Sequence, residues 1–160
     1  MQSMLPSLFI LGLVALAALR QTRNFPSSPE LIDERASAAR ALGFAVALQA
    51  VHFTEEAVTG FHEQFPALFG LPPMSLTFFI TFNLVWLGIW IVSIAGIRTG
   101  STFAFFAAWF LAMAGVLNGI AHPLLTVAVG GYFPGLASSP FVAGAGIWLW
   151  MQLRTAARHA

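Results

Sequence analysis

His52, Glu55 and Glu56 stand in one run, His52-Phe-Thr-Glu-Glu56. On a helix turning about 100° per residue, positions three and four beyond His52 fall on either side of its line, so all three share a face. Imidazole and carboxylate one turn apart can chelate a single ion or pass a proton between them. Gln49 and Thr59 extend the same polar stripe, and His62 lies one heptad beyond Glu55. The opposite side, with Gly43, Val46, Ala47, Ala50, Ala57 and Val58, is small and apolar and suits close packing against another helix. A second cluster holds Asn118 and His122 one turn apart, with Thr126 a turn further. Pro123 removes a helix hydrogen bond there, which predicts a kink and frees the carbonyl of Gly119. Asn83 forms a third polar point, with Trp86 and Trp90 on an adjoining face.

Two chemistries follow from these residue types. His52, Glu56 and His122 make a ligand set for zinc, iron or manganese, with open positions to activate water or oxygen. A second carboxylate makes two metals conceivable, but the paired Glu-x-x-His motifs of di-iron bundles are absent. Without a metal, two adjacent carboxylates repel, so one serves as proton donor beside an ionised partner, and His52, Glu55, Glu56, Asn118 and His122 become acid-base machinery. The purely structural alternative is that these groups hydrogen-bond helices together, at about 0.6 kcal/mol per contact. Two adjacent glutamates are a poor choice for that, since Asn or Ser would do it without burying charge.

The elements that must carry these residues are membrane helices. Of 160 residues 58% are hydrophobic and 8% charged, against roughly a quarter charged in soluble domains. The mean hydropathy is +0.81. All seven basic residues are arginine, and no basic patch exists for nucleic acid. The absence of cysteine excludes disulfides and thiolate ligands. Five apolar stretches predict an all-α membrane bundle in one domain over 1–160, with spans at 5–19, 41–60, 74–97, 101–129 and 139–153. Breakers separate them at 24–29, 70–73, 98–100 and 130–135. Residues 28–40, with Pro29, Glu30, Asp33 and Glu34 early and Arg35 and Arg40 late, read as a cytoplasmic amphipathic helix whose charges form a solvated face.

Arginine placement sets the orientation. Arg20, Arg23, Arg35, Arg40, Arg98, Arg154 and Arg158 all fall on one side of the five-span arrangement. The loops 61–73 and 130–138 carry none, which predicts an amino terminus outside and a carboxyl terminus in the cytoplasm of a bacterial-type plasma membrane. A four-span chain without the first stretch, which also reads as a cleaved signal peptide, distributes the arginines equally well. At about 1.5 Å per residue, His52 and His122 each lie about 12 Å inside the outer ends of their spans, and Asn83 is close to that level.

Beyond the His52, Glu55, Glu56 run and the Asn118, His122 pair, the chain carries Tyr132-Phe-Pro134-Gly135. With these three motifs in order it resembles the HXXEE-motif family of integral membrane proteins. The resemblance covers most of the chain from the second span onward and implies a membrane protein, with no established activity to transfer.

The leading expectation is therefore a membrane-embedded enzyme acting on a small lipophilic substrate. Lipid surrounds it, His52, Glu55, Glu56, Asn118 and His122 carry the chemistry, and Gln49, His62, Asn83 and Tyr132 line the site. Trp86 and Trp90 either stabilise a cationic intermediate or simply pack. The alternative is a non-enzymatic transporter, proton relay or lipophilic-ligand-binding protein. His159 reads as solvated tail.

Overall fold

The computed structural model of the chain describes residues 5–22 and 32–157. Arg23, the breaker at 24–29, Glu30, Arg158 and His159 lie outside the described residues. Among the described residues there are six helices and no strand: α1 (Leu5–Thr22), α2 (Ile32–Thr59), α3 (Phe61–Ala67), α4 (Leu76–Arg98), α5 (Thr102–Val129) and α6 (Ser139–Ala157). Four of these, α1, α2, α4 and α5, are long and apolar enough to cross a membrane. The helix at the expected fifth span, α6, has the length but not that degree of hydropathy. Ser139 and Pro140 at its start and Gln152, Arg154 and Thr155 near its end dilute its apolar middle.

The helix expected at 28–40 and the span expected at 41–60 are one element. α2 runs unbroken from Ile32, with Asp33 and Glu34 in its first turn, where the helix dipole favours them. Its 28 residues make a rod of about 42 Å, longer than the roughly 30 Å hydrocarbon layer. The expectation that its early charges form a solvated face fails at Arg35. This side chain is buried against Gly100 in the turn between α4 and α5, with its Nε and Nη2 unpartnered. The loop expected at 61–73 contains α3, separated from α2 by Gly60, whose φ of 85° ends the longer helix.

The polar stripe of α2 points inward. Gln49, His52 and Glu56 are buried, while Ala47, Val51 and Val58 on its other sides are exposed. The small apolar side that sequence reasoning assigned to helix packing is thus partly exposed. α2 packs against α4 and α6, and α5 packs against α1, α4 and α6. Between α2, α4 and α5 the core combines small residues, among them Ala38, Ala45, Ala104 and Ala108, with larger ones such as Leu42, Trp90 and Trp109. Trp90 donates its Nε1 hydrogen to the Ala107 carbonyl at 2.9 Å, which ties α4 to α5. α5 continues through Pro123 as one helix.

α5 and α6 approach most closely. A Cβ on Gly115 would lie 2.7 Å from the Val142 carbonyl oxygen, and one on Gly146 would lie 2.7 Å from the Ala112 carbonyl oxygen. Gly119 faces α6 too, with Ala143 Cβ at 2.3 Å from such an atom. Without water to drive association, helices in lipid are held by this backbone contact. Gly146→Val is therefore expected to cost about 1–3 kcal/mol and visibly lower the detergent melting temperature. Gly144→Ala, with open space at its Cβ, leaves the melting temperature unchanged. Equal melting of the two variants would contradict the close packing.

Candidate functional site

The loop between α5 and α6 folds back over α2 and is held there by one carboxylate. Glu55 Oε1 accepts from the Ala137 amide at 2.9 Å and from the Tyr132 hydroxyl. Its Oε2 accepts from the Ser138 amide at 2.8 Å and from the Ser138 hydroxyl. Tyr132 lies outside the spans. Partial desolvation first, and then the hydrogen bond to Glu55, push its phenol up to about 12, so it remains a donor at every physiological pH.

The clamped loop in turn sets both buried histidines. His122 Nδ1 lies 2.6 Å from the Pro134 carbonyl oxygen. A carbonyl only accepts, so His122 carries its proton on Nδ1. His52 Nδ1 lies 2.7 Å from Ser138 Oγ, whose own proton goes to Glu55, so His52 Nδ1 is likewise the donor. Both Nε2 atoms are left with lone pairs, and both face the same oxygen. His52 Nε2 and His122 Nε2 are each 3.5 Å from Glu56 Oε1. The two rings meet edge to face at 4.8 Å.

With Glu56 ionised, three acceptors converge with no donor among them. His52, Glu56 and His122 are 0%, 7% and 2% exposed, and one ligand atom from each lies within 4.8 Å of the other two. His52 Nε2 has no hydrogen-bond partner at all. Two ligands at about 2.1 Å from a tetrahedral ion stand about 3.4 Å apart, close to the two histidine–glutamate separations here. Outer partners that fix the Nδ1 proton are what metal-binding histidines ordinarily have.

Gly135 explains the end of the Tyr-x-Pro-Gly run. Its φ is 90°, and a Cβ there would sit 2.4 Å from His122 Cε1 and 2.9 Å from His52 Cε1. All three motifs thus meet at one point. A family model described as "protein of unknown function with HXXEE motif" matches residues 43–149. The chain belongs to the HXXEE family. No curated protein and no solved structure matches it. The matched region begins within α2 and ends within α6, so α1 lies outside it.

Beside the triad the HXXEE protein has a cavity of about 200 Å³ between α1, α2, α4 and α5. Glu56 and His122 line it, as do Ser7, Gln49, Asn83 and Asn118, so four helices bring polar groups to one chamber. Asn83 donates to the Phe79 carbonyl at 2.9 Å within its own helix. His52 sits behind Glu56 and does not line the cavity. Glu55 does not line it either, because its carboxylate is spent on the loop. Tyr132 reaches Glu55 and not the cavity. His62 stays outside, its Nε2 3.5 Å from Glu63 and its ring stacked on Phe79.

Sequence reasoning missed Ser138 and the Pro134 carbonyl, which orient the histidines, and Ser7, Leu8, Ile10 and Leu11 of α1, which wall the cavity. The only cue to Ser138 was its place just after the Tyr-x-Pro-Gly run. Gly135→Ala forces both a strained φ and a clash with two rings, so it is expected to lower the melting temperature and to disturb the histidine NMR signals together. Gly131→Ala, with nothing within 4 Å of its Cβ, serves as the neutral control. Undisturbed histidine signals in Gly135→Ala would contradict the loop's role.

Proposed function

We propose that the HXXEE protein is a membrane-embedded enzyme that holds one divalent metal ion, zinc, iron or manganese, on His52, Glu56 and His122. It acts on a lipophilic molecule bound in the adjoining cavity. The observation that carries this reading is the meeting of three lone-pair donors, with both histidine tautomers set from behind, at the polar end of an otherwise apolar chamber. Three like acceptors in a dry site repel one another unless a cation lies between them. A metal held by three protein ligands keeps a position free for polarising a substrate oxygen or activating a water. Glu56 and His122 are the ligands that also face the cavity, so a bound molecule meets the ion on their side. Glu55, Ser138 and Pro134 act as positioning groups. If a proton takes the cation's place, the same residues become a metal-free acid-base site.

The metal reading is tested on protein purified in detergent under mild conditions. One metal ion per chain is expected in the wild type and none in His122→Ala or Glu56→Gln. Ser138→Ala, which leaves all three ligands but frees His52 Nδ1, should weaken binding about 10- to 100-fold. Metal-free wild type with intact folding would overturn the metal and leave acid-base chemistry.

The reading includes five spans, with the amino terminus outside and the carboxyl terminus in the cytoplasm. Ser7 and Leu8 near the start of α1 line the same cavity as Phe61 and Phe65 of α3, which puts the start of α1 at the end of the bundle that carries 61–73. That supports α1 as a retained span over a removed leader. Because the chain lacks cysteine, single cysteines report topology directly. Gln2→Cys and Gln64→Cys should react with an impermeant maleimide in intact cells, and Thr99→Cys only after permeabilisation. Protection of Gln2→Cys in intact cells would refute the five-span arrangement.

A further inference from the structure

The cavity differs sharply from one end to the other. Its inner end is buried and polar: Glu56, His122 and Gln49 are each less than a tenth exposed. Gln49 Oε1 has no hydrogen-bond partner. A buried amide oxygen left bare in a membrane interior is costly, and its cost is relieved when something brings a donor to it. The middle is aromatic, with Phe79, Trp86, Trp90 and Phe110 on the walls and Trp86 only 4.5 Å from Phe110. The outer rim is made by Leu8 and Ile10 of α1 and Phe78 of α4, all of them exposed.

That rim lies on the flank of two helices apolar enough to cross a membrane, so it opens toward lipid and not toward water. α1 is held chiefly by α5, and only Ala18 and Thr22, at its far end, are buried. Its first turns therefore stand as a loosely packed wall across the mouth. A chamber of about 200 Å³ is little larger than one that holds a benzene ring, about 150 Å³. A longer molecule must leave its tail between α1 and α4.

We infer that the ligand is a lipid-soluble alcohol with an unsaturated body, which enters sideways from the bilayer between α1 and α4 and presents its hydroxyl to the polar end lined by Gln49, Glu56 and His122. The hydroxyl is the smallest group that can both donate to an acceptor of this polar end and accept from a donor there. Flat sp² carbons suit the indole and phenyl faces that line the way in. Gln49 is the specificity-determining residue, because its amide oxygen is buried at that end without a partner. This inference rests on the cavity being the ligand site, as proposed above, and not on a metal being present.

The probe is farnesol carrying a diazirine and an alkyne, photolysed with the full chain in nanodiscs. Labelling should concentrate on residues 5–11 and 76–90 and saturate. Unlabelled farnesol should compete at about tenfold lower concentration than farnesyl methyl ether, which lacks the donor. Gln49→Met, similar in shape, should lose that preference while still taking up the ether. Leu8→Trp, on the exposed rim, should slow labelling without changing metal content. Non-saturable labelling spread over all lipid-facing helices would overturn the inference, as would equal competition by alcohol and ether in the wild type. Metal is measured on the same samples. Saturable, alcohol-selective labelling of metal-free protein would remove the metal yet support the alcohol site, whereas metal-loaded protein that takes no alcohol would do the reverse.

Discussion

The grip of Glu55 on the α5–α6 loop is the interaction on which the rest of the site depends. One carboxylate collects two backbone amides and two hydroxyls, which together fix residues 132–138 over α2. Hydrogen bonds to an ionised acceptor are about twice as strong as neutral ones, and more so where water is scarce. Once the loop is fixed, the Pro134 carbonyl and Ser138 hydroxyl stand behind the two histidines, and Gly135 fits against both rings. The neighbouring Glu56 then faces two bare Nε2 atoms. Two adjacent glutamates of the same type thus have opposite duties, one satisfied by donors and one placed among acceptors.

Helices long and apolar enough to cross a membrane explain why the arrangement takes this form. In lipid no water repairs an unsatisfied polar group, so a polar stripe along α2 has to face inward and find partners on other elements. Close backbone contact between α5 and α6, made possible by Gly115, Gly119 and Gly146, brings the loop that joins them near His122 and α2. α1 completes the chamber from the side while remaining mostly exposed itself. A tightly packed pair of helices and a loosely packed one therefore flank the same cavity, the first holding the polar end in place and the second bordering its mouth.

Much of the candidate site was legible in the residues. A turn's spacing placed His52 and Glu56 on one face and Asn118 and His122 on another, and counting inward from the span ends brought both histidines to one depth. Three motifs in order pointed to the HXXEE family, to which the chain belongs. Less legible was the division between Glu55 and Glu56, because it depends on where a loop more than seventy residues away comes to rest. What was misjudged is the other side of that helix. Small residues on the other side of α2 looked like a packing surface, but burying His52 and Glu56 outweighs the gain from packing Ala47 and Val58. Arg35 was misread for a similar reason, since nothing local announces that Gly100 leaves room for a guanidinium.

Composition and periodicity alone determined that this is an all-helical chain with helices suited to a membrane, and they picked out the few residues able to do chemistry there. These properties are local, set by side-chain polarity and a 3.6-residue repeat, and need no knowledge of distant contacts. Only the tertiary structure decided which nitrogen of each histidine bears the proton, which glutamate meets them, and that a cavity with an orphaned Gln49 oxygen lies alongside. Those depend on hydrogen bonds between groups far apart in sequence, whose partners exist only once the helices have packed.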